Sequence, residues 1–428
     1  MAVANAGWND ARHGASRLAV PLLGWERRTA LVGVVATAVA FGPARMAFGM
    51  LLPSIREAFA LSGSAAGLIA AATFAAFAFA LVGASLLSRR YGAKLPVVIG
   101  GAAALAGAAL VTIATSTAIM VVGVVLAATA AGLCWTPFNA VASRLVRERR
   151  RDRVLSFVST GTTLGIALMA LGALLLAWTG ASWRWVWGAT AVMGGLSAAV
   201  AFMLLPPSRN LVPRRPPDVS ELPMRDMLRR AAKREACPVH ALAFSFGALS
   251  AAFATFAVDH LVETGRVADG PAPTERTMLT LGGLVFLAYG MVGAVGFLSD
   301  AIERRLGLAR AVAGCFLVAA LGTTLLALVP ASWTFALSGA GLVGGSVMVF
   351  CVLLSVATLR LFPLLPVMGF TVAVLAMSIG SIAGPAVVGM VADGYGTTVG
   401  LLLVAGLAGL TGLATPLAMR SGTLSHDR

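Results

Sequence analysis

Two short polar stretches decide how this chain folds: Leu87-Ser88-Arg89-Arg90-Tyr91-Gly92-Ala93-Lys94, and Gly296-Phe297-Leu298-Ser299-Asp300-Ala301-Ile302-Glu303-Arg304-Arg305-Leu306-Gly307. Each is a basic turn set between long apolar runs, and each holds a glycine, the residue that permits a sharp change of backbone direction. Gly92 and Gly307 stand 215 positions apart (307 − 92). Gly165 and Gly380, both inside apolar runs, repeat that spacing (380 − 165). The chain therefore reads as two copies of one unit.

Working outward from the two turns, apolar runs follow one another with little between them. Of the 428 residues, 59% are hydrophobic and 11% charged, and the mean hydropathy is +0.90. Soluble domains are about 25% charged, so this composition excludes a soluble enzyme, a disordered chain and a disulfide scaffold. The runs cover 30–52, 64–87, 95–114, 118–142, 154–178 and 184–205, then 239–262, 277–298, 309–329, 333–359, 367–391 and 398–419. Each suits a bilayer-spanning helix of about 20 residues. Barrel strands would be about ten residues long with alternating polarity. The 48 glycines fit helices that approach backbone to backbone in a membrane. The expected fold is all-α and integral to the membrane, with twelve helices in two pseudo-symmetric six-helix bundles.

The net charge of +15 is spread in small arginine clusters between the runs, a topology signal rather than a nucleic-acid footprint. Of the 32 Lys and Arg, 27 fall in the tails and loops on one side, four (Arg56, Arg184, Arg266, Arg276) on the other, and Arg45 lies within a run. The positive-inside rule then puts both termini in the cytoplasm. Trp178, Trp183, Trp185, Trp187 and Trp333 gather at the opposite interface, as indole rings do. The expected divisions are a cytoplasmic tail over 1–29, bundles over 30–205 and 239–419, a cytoplasmic linker over 206–238, and a tail over 420–428. The linker carries seven prolines and reads either as a plain spacer or as one holding a short basic amphipathic helix, 224–236, on the inner membrane face. The first run is too long for a signal peptide and is read as a retained span. The four cysteines form no Cys-x-x-Cys pair, so no metal site or disulfide framework is expected.

The two turns resemble the signature of the major facilitator superfamily, usually written G-x-L-a-D-r-x-G-r between the second and third helices of each half. The second half carries Gly296-Phe297-Leu298-Ser299-Asp300, then a longer insert with Arg304, Arg305 and Gly307. The first half departs from the pattern: Ser85 stands at the first Gly position and Arg89 at the Asp position. Leu52-Pro53-Ser54-Ile55 and the stretch Gly380-Ser381-Ile382-Ala383-Gly384-Pro385 with Ala392-Asp393 resemble the family's first and eleventh helices. The resemblance covers about 30–419. It implies the twelve-helix fold and a cytoplasmic latch at the turns, giving Arg89, Arg90, Asp300 and Arg304 as gate residues. No arginine lies between Ala118 and Ala142, and Gly161, Gly165 and Gly172 occur without the following Pro, so the drug–proton antiporter branch is not assigned, nor any other.

Charge inside a span costs at least ~2.5–3.5 kcal/mol on insertion scales and marks function by default. Arg45 lies eight residues before Pro53, about 10 Å from the outer end of its helix. In the family that stretch faces the central cavity, which makes Arg45 a candidate for binding carboxylate or phosphate through its planar fork; the alternative is a structural or snorkelling arginine. Trp135 and Asn139 share a face of the fourth span, another cavity helix in the family, and are candidates to stack on and hydrogen-bond a solute, with plain helix packing as the alternative. Asp259 and His260, near the outer end of the seventh span with Glu263 a turn beyond, are candidates for proton coupling; the alternative is a wet outer rim.

No Walker loop, HExxH or GxSxG occurs, so the chain is expected not to be an enzyme, and no cofactor or metal is implied. The expected activity is secondary transport of a small organic solute, an anionic one being favoured by Arg45, by alternating access with proton coupling, since parallel repeats place a site at their interface. Efflux of amphipathic compounds is the alternative within transport, and a non-transporting membrane sensor or scaffold of the same fold is the alternative outside it. Expected partners are the solute, protons and the lipid bilayer, with no nucleic acid, and a monomeric state in the plasma (inner) membrane.

Overall fold

The computed structural model describes residues 24–145, 148–205, 236–264, 274–362 and 366–421. Residues 206–235 of the linker and most of both tails lie outside the described residues, as do all but the last residue of the expected helix at 224–236 and the side chains of Arg89 and Asn139. Among the described residues there is no strand, and twelve helices are long and apolar enough to cross a membrane.

Every expected run is helical, and several helices extend past the ends that hydropathy alone suggests. The first span begins at Gly24, breaks at Gly42-Pro43 and again at Leu51, and continues as Leu52–Phe59. Pro43 and Pro53 sit in the first turn of the helices they open, where the missing N–H costs nothing. Arg56, read from sequence as a loop residue, is therefore held on a helical turn. The fifth span starts at Glu148 and the eighth at Glu275. The polar turn after the eighth span is also helical, as a 3₁₀ stretch Ala294–Leu298 and a helix Ser299–Leu306. Its Gly307 takes φ +76°, as Gly92 in the first half takes φ +82°, the left-handed geometry that glycine adopts at no steric cost.

The packing repeats between the halves. The first span lies along the fifth, the second along the fourth, and the third along both fourth and sixth. In the second half the seventh lies along the eleventh, the eighth along the tenth, and the ninth along both tenth and twelfth. These are the same four pairings shifted by six. The halves meet through the second span on the eleventh, the fifth on the eighth, and the first on the seventh. The core is rich in alanine and glycine, with large anchors such as Trp187 and the Phe246, Phe316, Phe350 triad, whose first and last rings stack at 4.0 Å. Large apolar side chains on the outer faces, Phe79, Met203 and Leu410 among them, are exposed, as a lipid-facing surface requires.

Candidate functional site

Two constellations lie where the halves meet. The first closes one end of the molecule, the end that carries Arg56. The guanidinium of Arg56 lies 2.5 Å from a carboxylate oxygen of Asp259 and 2.5 Å from one of Glu263, both on the seventh span. Its Nε also donates to the Leu61 carbonyl at 3.1 Å. Asp259 is 2% exposed, so its charge depends on this pair.

Three further polar contacts cross between the halves at the same end. The Asp393 carboxylate, at the end of the eleventh span, accepts from the backbone N–H of Gly63 at 2.6 Å and of Ser64 at 2.9 Å, and from the Ser64 hydroxyl. It thereby meets the unsatisfied donors and positive dipole end of the second span. Glu275 accepts from the Trp183 N–H at 2.5 Å, and the Ser54 hydroxyl meets Met278 Sδ at 3.5 Å. Glycines let the backbones touch beneath these clamps: a Cβ on Gly49 would overlap the Ala254 carbonyl oxygen, and one on Gly67 the Pro385 carbonyl oxygen.

At the opposite end the two described ion pairs stay within the second half. Asp300 pairs with Arg304 one turn along the same helix, and Glu303 pairs with Arg360 at 2.5 Å. Asp300 and Arg304 are thus brought to each other, not to the first half. The Arg90 guanidinium lies over its neighbour Tyr91.

The second constellation lies deeper in the first half, around Arg45. Its guanidinium sits over three rings, 4.2 Å from the centroid of Phe77, 5.0 Å from Phe74 and 5.6 Å from Phe41. Trp135 meets Phe41 edge to face at 5.5 Å. Arg45 Nε is buried with no hydrogen-bond partner, and Arg45 has no ion pair among the described residues. Tyr289 and Cys351 of the second half interact electrostatically with it. The structure thus brings Arg45 and Trp135 into one cluster.

His260 does not join Asp259 in a site. It is fully buried, with Nδ1 2.9 Å from the Thr397 hydroxyl and Nε2 3.1 Å from the Ala327 carbonyl. Both partners belong to the second half.

Sequence reasoning missed Arg56, the Asp393 clamp and the phenylalanine box. Arg56 carried a usable signal: it is one of few basic residues on the sparse side, and Asp259 and Glu263 stand i, i+4 on an apolar helix. The Asp393 clamp carried none, because its acceptor role depends on two helix ends meeting from opposite halves.

Two packed six-helix repeats, with a cation that has no ion pair among the described residues, fit a transmembrane secondary transporter. The family model described as Major Facilitator Superfamily matches residues 33–364, and the chain belongs to that family. Solved structures with the same fold include a bacterial homologue of the human lysosomal transporter Spinster, inward-facing and unoccupied. It is 15% identical, with a TM-score of 0.71, covering 94% of this chain and 98% of that one. The nucleoside transporter NupG is 12% identical, with a TM-score of 0.71 and coverage of 93% and 100%. A POT family transporter in complex with 5-aminolevulinic acid is 11% identical, with a TM-score of 0.72 and coverage of 93% and 96%. No curated protein sequence matches the chain.

Proposed function

We propose that the protein moves a small organic anion across the plasma membrane by alternating access, with both termini in the cytoplasm and the Arg56 end outermost. The observation that carries this reading is Arg45: a cation between the halves, ringed by aromatics and without an anionic partner among the described residues. Arg45 and Trp135 bind the solute, with Asn139 on the same helix face. The conformation described is closed at the outer end by the Arg56 and Asp393 clamps.

Proton coupling is assigned to Asp259. A neutral Asp259 loses its hold on Arg56, so protonation from the outer side loosens the clamp and the proton travels with the conformational change. His260 anchors the seventh span to the ninth and twelfth and acts on Asp259 only through that helix. Arg89, Arg90, Asp300 and Arg304 form the cytoplasmic gate when the inner end closes. The protein acts as a monomer, with the bundles 30–205 and 239–419 joined by the linker 206–238.

A second reading, efflux of amphipathic compounds, is favoured by one observation: apart from Arg45, the rings Phe41, Phe74, Phe77 and Trp135 make the cluster apolar. The test is solute flux in proteoliposomes with an imposed pH gradient. Inward-directed accumulation of an organic anion supports coupled uptake. Gradient-driven movement the other way supports efflux, and no gradient-dependent flux of any organic solute removes the transporter reading in favour of a sensor.

A further inference from the structure

We infer that the Arg45 cluster takes a monoanion with a flat apolar body, an arylcarboxylate in the simplest case, and rejects zwitterions and cations. The inference rests on the transporter reading and narrows its solute.

The anionic group follows from what Arg45 lacks. Three rings surround the guanidinium, at 4.2, 5.0 and 5.6 Å, and attract the cation through their quadrupoles. Rings offer its five N–H donors no acceptor. Nε is buried and unbonded. The rings hold the fork in one orientation, and an incoming carboxylate supplies the missing acceptors in a bidentate geometry.

The body follows from the walls. Phe41 and Trp135 stand edge to face and both keep part of their surface accessible. Such walls pair with flat apolar groups in offset or edge-on contact. Sugars and other polyols would leave hydroxyls without partners here.

The rejection follows from where the acids are. A zwitterion needs a carboxylate for its ammonium. The two fully buried carboxylates among the described residues are Glu26 and Asp259. Glu26 is 19 positions from Arg45 (45 − 26), about 28 Å along a helix. Asp259 is held by Arg56, and Asp393 by the second span's N-terminus. An ammonium would sit unpaired next to a fixed guanidinium, which is discrimination by repulsion.

The experiment reads binding without flux, so its failure is distinct from failure of the transporter reading. Thermal unfolding of the purified full chain is followed with naphthoate, its amide naphthamide, naphthylmethylammonium and the zwitterion phenylalanine. Naphthoate should raise the unfolding temperature in a dose-dependent way and the other three should not, because only a ligand of the folded state stabilises by mass action. Arg45→Gln should abolish the shift, and Arg45→Lys should weaken the affinity at least tenfold. Cys351, beside the same cation, gives a readout in the wild-type fold: in a Cys237→Ser background naphthoate should slow its modification by a small maleimide, and naphthamide should not. Equal stabilisation by the amide or the ammonium, an undiminished shift in Arg45→Gln, or absence of both stabilisation and Cys351 protection by naphthoate would each overturn the inference. The transporter reading survives those results if a neutral or cationic solute shows flux.

Discussion

Arg45 and Arg56 share one span, yet their surroundings are opposite. Arg56 has two carboxylates across the interface, whereas Arg45 has rings and an unbonded Nε. Their jobs are separate, closing for Arg56 and binding for Arg45, and so are the expected mutant phenotypes. Arg45→Ala should abolish solute flux while leaving expression and the unfolding temperature near wild type, read by proteoliposome uptake and thermal melting. Arg56→Gln should act on conformation instead. It leaves Asp259, 2% exposed, without a counter-charge, at a cost to the closed state of about 3 kcal/mol. Modification of a cysteine placed at Ser64 should then speed up by one to two orders of magnitude. Asp259→Asn should abolish accumulation driven by a pH gradient yet keep solute exchange. His260→Ala, which strips the Thr397 and Ala327 contacts, should lower the unfolding temperature and leave the pH profile in place. At this scale the sequence showed which residues were costly to bury, because charge in an apolar run is conspicuous. It did not show their partners: Arg56 to Asp259 is a contact over 203 positions, and no local pattern encodes it.

The spans themselves were legible because run length alone sets a transmembrane helix. Their ends were less so. The extension of the first span to Phe59 and the helical Ser299–Leu306 both lie in polar sequence, where hydropathy drops but helix propensity and capping persist. Glycine also sets how closely the helices of the two halves approach. Gly49 lets the first span rest on the seventh at Ala254, and Gly67 lets the second rest on the eleventh at Pro385. A side chain at either point is a wedge that acts only when the Arg56 end is closed. Gly49→Leu should therefore favour the open form at that end, by about 1–3 kcal/mol or more if the overlap cannot relax. The check is again Ser64→Cys accessibility, with faster labelling in Gly49→Leu than in the wild type. Labelling no faster than wild type would mean the helices do not separate there.

At the scale of the molecule, the repeat spacing of 215 positions, seen in Gly92 and Gly307, reappears as matched helix pairings in the two halves. The repeat was visible in sequence because it resides in turns and glycines, and its arrangement followed from the family resemblance. Which end is shut was not visible, since closure is a property of a conformation and one sequence serves both. Topology has its own check: reporter fusions at Asn210 and after Arg428 should read cytoplasmic, and one at Asp269 should read external, as the 27-to-4 split of basic residues requires. The central claim is that the two ends open in alternation. Its most direct measurement is a pair of spin-label distances across the halves, one between Ser62 and Gly394 at the Arg56 end and one between Tyr91 and Leu359 at the other, compared in the wild type and Arg56→Gln. Releasing the clamp should lengthen the first distance and shorten the second in the same fraction of molecules. Two ends that widen together, or a second distance that ignores the first, would contradict alternating access in this protein.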